Sequence, residues 1–417
     1  MRNVLEELEY RGLIKDYSNK EEMKELLSTK QTIYCGFDPS ATSMHVGNFV
    51  MISLLMRLQQ AGHKIIAVVG GATGMIGDPS GKSKERNLQD NETLKNNTES
   101  IKKQLEKFLD LSDSEKGLIL NNYDWLGNMS MLDLLRDYGK YFNINYLLNK
   151  DIIASRLDAG ISFTEFTYNI LQAIDFYHLH KEYGVNIQVG GSDQWGNLTS
   201  GLELLRKKCP EDKVSVMTCH LITRADGKKF GKSEKGALFL NPELTSPYQL
   251  YQYFYNVTDE DAGKYLKVFT FLSIEETEEV IKEHLANPGA RIGQKRLAYE
   301  IVKEIHGEKE AEEAVKMSQA LFNGSVASLS KKQLEEVLGD LTIEVSQDEI
   351  MLEDALILAK AASSKREART FCQQGAVSIN GEKVTDSTYK LSKDNALFNE
   401  YNVLRRGKKL YFLIKHV

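Results

Sequence analysis

No run of this 417-residue chain approaches the roughly 20 consecutive apolar residues that span a bilayer, so no membrane partner is expected. The stretch Met1 to Gly12 mixes acids with apolar residues and lacks the basic, apolar and small-residue regions of a signal peptide. Cysteine is scarce. Cys35, Cys209, Cys219 and Cys372 are scattered without metal-ligand spacing, which argues against a structural zinc and for free thiols in a reducing cytoplasm. Excess positive charge is missing too: 53 Lys and Arg face 59 Asp and Glu, a net of −6, which by itself argues against a nucleic-acid partner. The distribution reverses that argument for the tail, where Met351 to Val417 carries 12 Lys/Arg against 7 Asp/Glu. Length and composition fit a soluble globular chain of two to four domains.

Residues 31 to about 220 alternate apolar strand-like runs with amphipathic helical stretches. Strands are predicted at Thr32–Phe37, Lys64–Gly70, Gly117–Asn121, Val185–Gly190 and Val214–Cys219. Such alternation implies an α/β fold with a parallel sheet wrapped by helices, and ligands in such sheets gather at the carboxyl ends of the strands. Three strands end suggestively, in Gly36-Phe37-Asp38, Gly70-Gly71-Ala72-Thr73-Gly74 and Gly190-Gly191-Ser192-Asp193-Gln194-Trp195-Gly196. These ends should converge on one crevice. The stretch 124–184 is rich in helix formers and reads as an insertion between the two halves of the sheet. Residues 246–324 read as helical throughout, with Pro247 inside a first turn. Residues 325–350 show no clear period and read as a linker. Beyond them, Leu352–Ala362 reads as a helix, Ser364-Lys365-Arg366-Glu367 as a capping box opening a second, and Asn380-Gly381 as a hairpin turn.

Two short segments carry the clearest chemistry. Pro39-Ser40-Ala41-Thr42-Ser43-Met44-His45-Val46-Gly47-Asn48 leads from a strand into the helix Val46–Gln60. Free N–H groups and the helix dipole favour an anion at that point, the imidazole of His45 can donate to a phosphate, and Gly47 lets a flat base approach the backbone. Lys228-Lys229-Phe230-Gly231-Lys232-Ser233 is a glycine-hinged loop of lysines able to close over a polyphosphate. Together, in this order and separation, they resemble the two signature sequences of the class I aminoacyl-tRNA synthetases. The family's first signature commonly ends in a second histidine; Asn48 stands here instead, able to donate a hydrogen bond but not a charge.

On the helix Thr164 to about Tyr183, opened by Ser162-Phe163-Thr164-Glu165, the residues Tyr168, Gln172 and Asp175 form one stripe. Spacing alone is compatible with an inward polar pocket or with a face turned to water. Here the likeness becomes close: Ile161-Ser162-Phe163-Thr164-Glu165-Phe166, the Gly190–Gly196 run, and Gly71-Ala72-Thr73-Gly74-Met75-Ile76-Gly77-Asp78-Pro79-Ser80-Gly81 resemble the bacterial tyrosyl-tRNA synthetases, and similarity spans essentially the whole chain. The resemblance implies that Tyr34 and Asp175 contact a substrate phenol and that Asp78, Tyr168 and Gln172 hold its ammonium group. Gln188 and Gln194 support that pocket. For the nucleotide it implies Gly36, Asp38, Ser40, Gly47 and Gly191, with Asp193 on the ribose, and His45, Lys82, Arg86, Lys229 and Lys232 around the phosphates. Ser233 completes the mobile loop.

The resemblance also implies the overall plan. A Rossmann-like catalytic domain over 1–222 holds the 124–184 insertion as a dimer contact. A mobile lysine loop and connector fill 223–245, a helical anticodon-side domain 246–324 and the linker 325–350. Residues 351–417 form a small α+β RNA-binding domain like one in a small-subunit ribosomal protein, with basic clusters at Lys365, Arg366 and Arg369 and at Arg405-Arg406-Gly407-Lys408-Lys409. The implied activity joins L-tyrosine to tRNA(Tyr) at the expense of ATP, with Mg2+ on the phosphates and no dedicated metal site, in a cytoplasmic homodimer. The alternatives are a non-catalytic RNA-binding protein reusing the fold, and a class I synthetase for another aromatic amino acid, above all tryptophan.

Overall fold

In the computed structural model the described residues are all but 1–3, 81–87, 158–159, 226–229 and 234–235. The chain divides into two units, Met1–Thr245 with Val257–Gly293, and Ser246–Asn256 with Gln294–Val417.

Six strands build the sheet of the first unit: β1 Ile14–Tyr17, β2 Thr32–Phe37, β3 Lys64–Val69, β4 Gly117–Asn121, β5 Val185–Gly191 and β6 Ser215–Cys219. Their order is β1-β6-β5-β2-β3-β4. Strands β2 to β6 run parallel and β1 joins β6 antiparallel at the edge. The central strands are apolar in both faces' positions, as in Ile65, Ile66, Ala67, Val68 and Val69, because helices cover both sides. The chain progresses outward from β2 through β3 to β4, then returns to β5 on β2's other side. Between β2 and β5 the direction of winding reverses, and a crevice opens outside their carboxyl ends.

The five predicted strands are present within a residue at each end. The edge strand β1 was not foreseen: Ile14-Lys15-Asp16-Tyr17 is too short and too charged to carry a period. The helix Phe163–Tyr183, predicted within the 124–184 insertion, packs on the helix Trp195–Lys208 and under β5. It is therefore part of the sheet's own covering layer. Residues 257–293 belong with this unit as well, which departs from a continuous 246–324 helical domain. Arg11 and Arg57 explain the attachment, since their buried guanidinium groups donate to the carbonyls of Thr270 and, for Arg11, Leu272 at 2.8 Å, closing the end of helix Asp259–Phe269.

In the second unit the segment read as a linker is structured. Helix Lys331–Leu338 opens on a Ser330–Gln333 capping box and buries Leu334 and Leu338, and strand Thr342–Val345 pairs in parallel with the final strand Leu410–His416. Its short elements, each below the length at which a period shows, hid it from the sequence. The five-stranded sheet continues through Tyr401–Arg406, Val377–Ile379 and Glu382–Lys383, and the predicted Asn380-Gly381 turn has positive φ at both positions.

Candidate active site

The two innermost polar groups come from β2 and from the helix Phe163–Tyr183 that packs on β5. Tyr34 lies inside β2, fully buried, its ring tilted on Phe176 at 5.7 Å. Its hydroxyl oxygen accepts from Gln188 Nε2 at 2.7 Å, leaving its own proton to donate. Beside it, Asp175 is only 4 % exposed. Trp125 Nε1 donates to one carboxylate oxygen at 2.7 Å and Asn122 Nδ2 to the other at 3.0 Å. Burial still dominates and pushes the Asp175 carboxyl up to about 7, with Asp38 adding repulsion. The same burial, with Asp175 nearby, holds the Tyr34 phenol well above its ordinary value.

One layer outward, Tyr168 donates to Asp38 Oδ2 at 2.8 Å, while Thr73 donates to the other Asp38 oxygen at 2.8 Å. Asp78 accepts from Gln194 Nε2 at 2.6 Å, from Asn197 Nδ2 at 3.3 Å and from the Ser80 N–H at 2.9 Å. Gln172 Oε1 is a buried acceptor that receives no donor from the described residues. So the stripe Tyr168, Gln172 and Asp175 faces inward, with Asp78 close enough to Tyr168 to repel its ionised form.

At the mouth, the two lysine- and histidine-bearing segments are knit together by backbone. Val46 N–H donates to Leu238 O at 2.8 Å, Leu240 N–H to Met44 O at 2.9 Å, and Leu238 N–H to Gly231 O at 2.9 Å. Phe230 anchors the second segment by stacking on Phe269 at 5.1 Å. His45 is exposed, and its ring lies over Gly47, where an added Cβ would sit 2.9 Å from Cε1 and Nδ1. Gly231, at φ +73°, has a Cβ position 2.9 Å from Val46 Cγ1. The left-handed backbone at Gly231 favours glycine, and at Gly47 any side chain would displace the His45 ring. Asn48 turns its Oδ1 back onto the His45 N–H at 3.0 Å, so that oxygen caps the turn rather than facing a nucleotide. Gly36 and Ser40 are exposed beside Asp38, and Gly191 packs on the Asp193 carboxylate. Lys82, Arg86 and Lys229 lie outside the described residues; Lys232 and Ser233 are described by backbone alone, as a short strand paired with Gly236–Ala237.

The family model for class I tRNA synthetases (W and Y) matches residues 27–323, and the model for the tyrosine–tRNA ligase SYY-like C-terminal domain matches residues 331–414. The chain belongs to the class I tRNA synthetases. The tyrosine–tRNA ligase of Staphylococcus carnosus is 48% identical over 99% of each chain, and that of Listeria monocytogenes serotype 4b (strain F2365) is 47% identical over 99% of this chain and 100% of its own. Among solved structures, a C-terminally truncated mitochondrial tyrosyl-tRNA synthetase of Aspergillus nidulans superposes with a TM-score of 0.70 at 32% identity, over 77% of this chain and 95% of its own.

What sequence reasoning missed in this synthetase is the layer behind the expected residues. Asn122 and Trp125 hold Asp175, Asn122 also donates to Thr73 at 3.0 Å, and Asn197 joins Asp78, Ser80 and Gln194. Asn122-Tyr123-Asp124-Trp125 directly follows a strand end, which was the available signal. In the second unit the expected basic face is partly neutralised: Arg369 Nε donates to Glu353 at 2.6 Å and Lys365 Nζ lies 2.7 Å from Asp354. Arg366 is exposed, and Arg405 and Arg406 lie over Tyr411 and Phe371.

Proposed function

We propose that this chain is a tyrosine–tRNA ligase whose crevice grips the phenol of L-tyrosine between Tyr34 and Asp175. The observation that carries the reading is the buried pair itself: a hydroxyl with a proton to give and a carboxylate with lone pairs to accept. A phenol satisfies both. Phenylalanine would leave them desolvated and unpaired, and an indole offers one donor and no acceptor. The substrate ammonium then meets Asp78, the Tyr168 oxygen and Gln172 Oε1.

In the first step the tyrosine carboxylate attacks the α-phosphorus of ATP. A C–O–P bond forms, the bond between the α- and β-phosphates breaks, and pyrophosphate leaves. No side chain need act as a strong base, since the carboxylate is already ionised. Alignment and charge stabilisation supply the rate, with His45, Lys82, Arg86, Lys229 and Lys232 around the phosphates and Asp193 on the ribose. A terminal ribose hydroxyl of tRNA(Tyr) next takes the tyrosyl group and AMP is released. Mg2+ travels with the triphosphate, whose charge it offsets; the carboxylates Asp38, Asp78 and Asp175 are committed to the donors described above and are poor ligands for it. The basic residues of 351–417 are assigned to tRNA.

The same reading includes a cytoplasmic homodimer. Met131, Leu132, Leu135, Ile144 and Phe163 are all exposed within one stretch of the insertion, which supports a self-association surface. Among the described residues no helix is long and apolar enough to cross a membrane. The deciding experiment is amino-acid-dependent pyrophosphate exchange without tRNA. Exchange with tyrosine, and none with phenylalanine or tryptophan, is expected; no exchange with any of the three would overturn the assignment.

A further inference from the structure

Far from the crevice, three side chains of different chemistry meet. His180 lies in the last turn of helix Phe163–Tyr183, Cys209 caps the end of helix Trp195–Lys208, and Asp212 follows in the turn closed by its N–H to Cys209 O at 3.1 Å. One ligand atom from each falls within 4.8 Å of the other two. His180 Nδ1 lies 2.8 Å from Val185 O, and a carbonyl oxygen only accepts, so Nδ1 bears the proton. In the neutral imidazole Nε2 is then an acceptor, yet it faces another acceptor, Asp212 Oδ2, at 2.9 Å. Two lone pairs so placed require a cation between them, either a proton or a metal ion.

We propose that His180 Nε2, Cys209 Sγ and an Asp212 carboxylate oxygen form a zinc site. Nitrogen, sulfur and oxygen donors suit Zn2+, and an Nδ1–H bonded to a backbone carbonyl is the outer support that orients a metal-binding imidazole. The buried thiol is what favours metal over proton: it is a third donor that a simple imidazolium–carboxylate pair does not use. Binding releases the thiol proton to solvent and leaves a thiolate–zinc bond. Asp212 is 46% exposed, so water completes the fourth position. Sequence spacing concealed the set because His180 stands far from the Cys209–Asp212 pair. The ion would clamp the distal ends of two helices, one carrying Tyr168, Gln172 and Asp175 and the other entered from Gln194.

Cobalt substitution tests it on the full chain. Titration with Co2+ should give, at one equivalent per chain, a near-ultraviolet thiolate charge-transfer band with visible bands of four-coordinate geometry, and Zn2+ should displace it. Cys209→Ser should abolish the near-ultraviolet band. Asp212→Asn, on the surface and safe for folding, should keep the band and weaken Co2+ binding about tenfold or more. Absence of the band in the parent protein would mean that a proton alone joins His180 and Asp212. Persistence of the band in Cys209→Ser, or unchanged affinity in Asp212→Asn, would equally overturn the site.

Discussion

Tyrosine binding should weaken about tenfold between about pH 8 and about pH 6, and the cause is one carboxyl. Asp175 accepts the substrate's phenolic proton in a strong, charge-assisted bond only when ionised, and burial has pushed it up to about 7. At about pH 8 roughly nine in ten molecules present the carboxylate; at about pH 6 roughly one in ten does, a difference of about 1.4 kcal/mol in apparent affinity. Bound tyrosine stabilises the charged form, so binding itself releases a proton near neutrality. Removing a donor should move the midpoint upward. The Asn122 bond to Asp175, at 3.0 Å, is of the charge-assisted kind worth about 1.5–3 kcal/mol, so Asn122→Ala should raise the carboxyl by about 1–2 units and weaken binding about tenfold at about pH 7.5. Equilibrium dialysis of labelled tyrosine without ATP, across this range, measures both. A dissociation constant flat from about pH 6 to about pH 8, or an unmoved midpoint in Asn122→Ala, would refute the role given to Asp175. Stability of the unliganded protein has the matching sign. Folding favours the protonated carboxyl, so this contribution is full below the ordinary value of 3.8 and is lost as pH rises to about 7, by about 4 kcal/mol at most. Urea unfolding of Asp175→Asn should lack that decline.

Other outcomes follow from neighbouring contacts. Gly47→Ala pushes a methyl to 2.9 Å from the His45 ring, so adenylate formation in single-turnover assays should fall at least about tenfold with tyrosine affinity unchanged. Tyr34→Phe leaves Gln188 Nε2 buried without its acceptor; discrimination between tyrosine and phenylalanine in pyrophosphate exchange should narrow, and stability should drop by about 1–3 kcal/mol. Arg156 and Glu165 form a buried ion pair at 2.9 Å, so Arg156→Ala should cost about 3–5 kcal/mol in urea unfolding, far more than removal of any exposed pair. Leu132→Lys with Phe163→Lys should convert a dimer to monomers in sedimentation velocity; an unchanged sedimentation coefficient would exclude this surface.

The sheet was legible because buried parallel strands are continuous apolar runs, and Ile65-Ile66-Ala67-Val68-Val69 stands out as one without any alternation to guide the eye. The Asn380-Gly381 hairpin was legible for its turn chemistry. Tyr168, Gln172 and Asp175 were legible as a stripe, but their inward direction depends on which helix face meets β5, and spacing does not encode that. Asn122 and Trp125 were marked only by their place after a strand end; that they hold a carboxylate some fifty positions on emerges when the fold joins them. Strand Thr342–Val345 escaped because its partner is the far end of the chain.

That last pairing has a consequence for synthesis. Strand Leu410–His416 lies between Tyr401–Arg406 and Thr342–Val345, so the sheet is complete only once segments far apart in the sequence have both been synthesised. Until Leu410–His416 has been made, Tyr401–Arg406 and Thr342–Val345 each wait with an open edge, a long-range closure that is slow to form and prone to capture by other nascent chains. A chain cut before Leu410 would leave both of those edges open permanently.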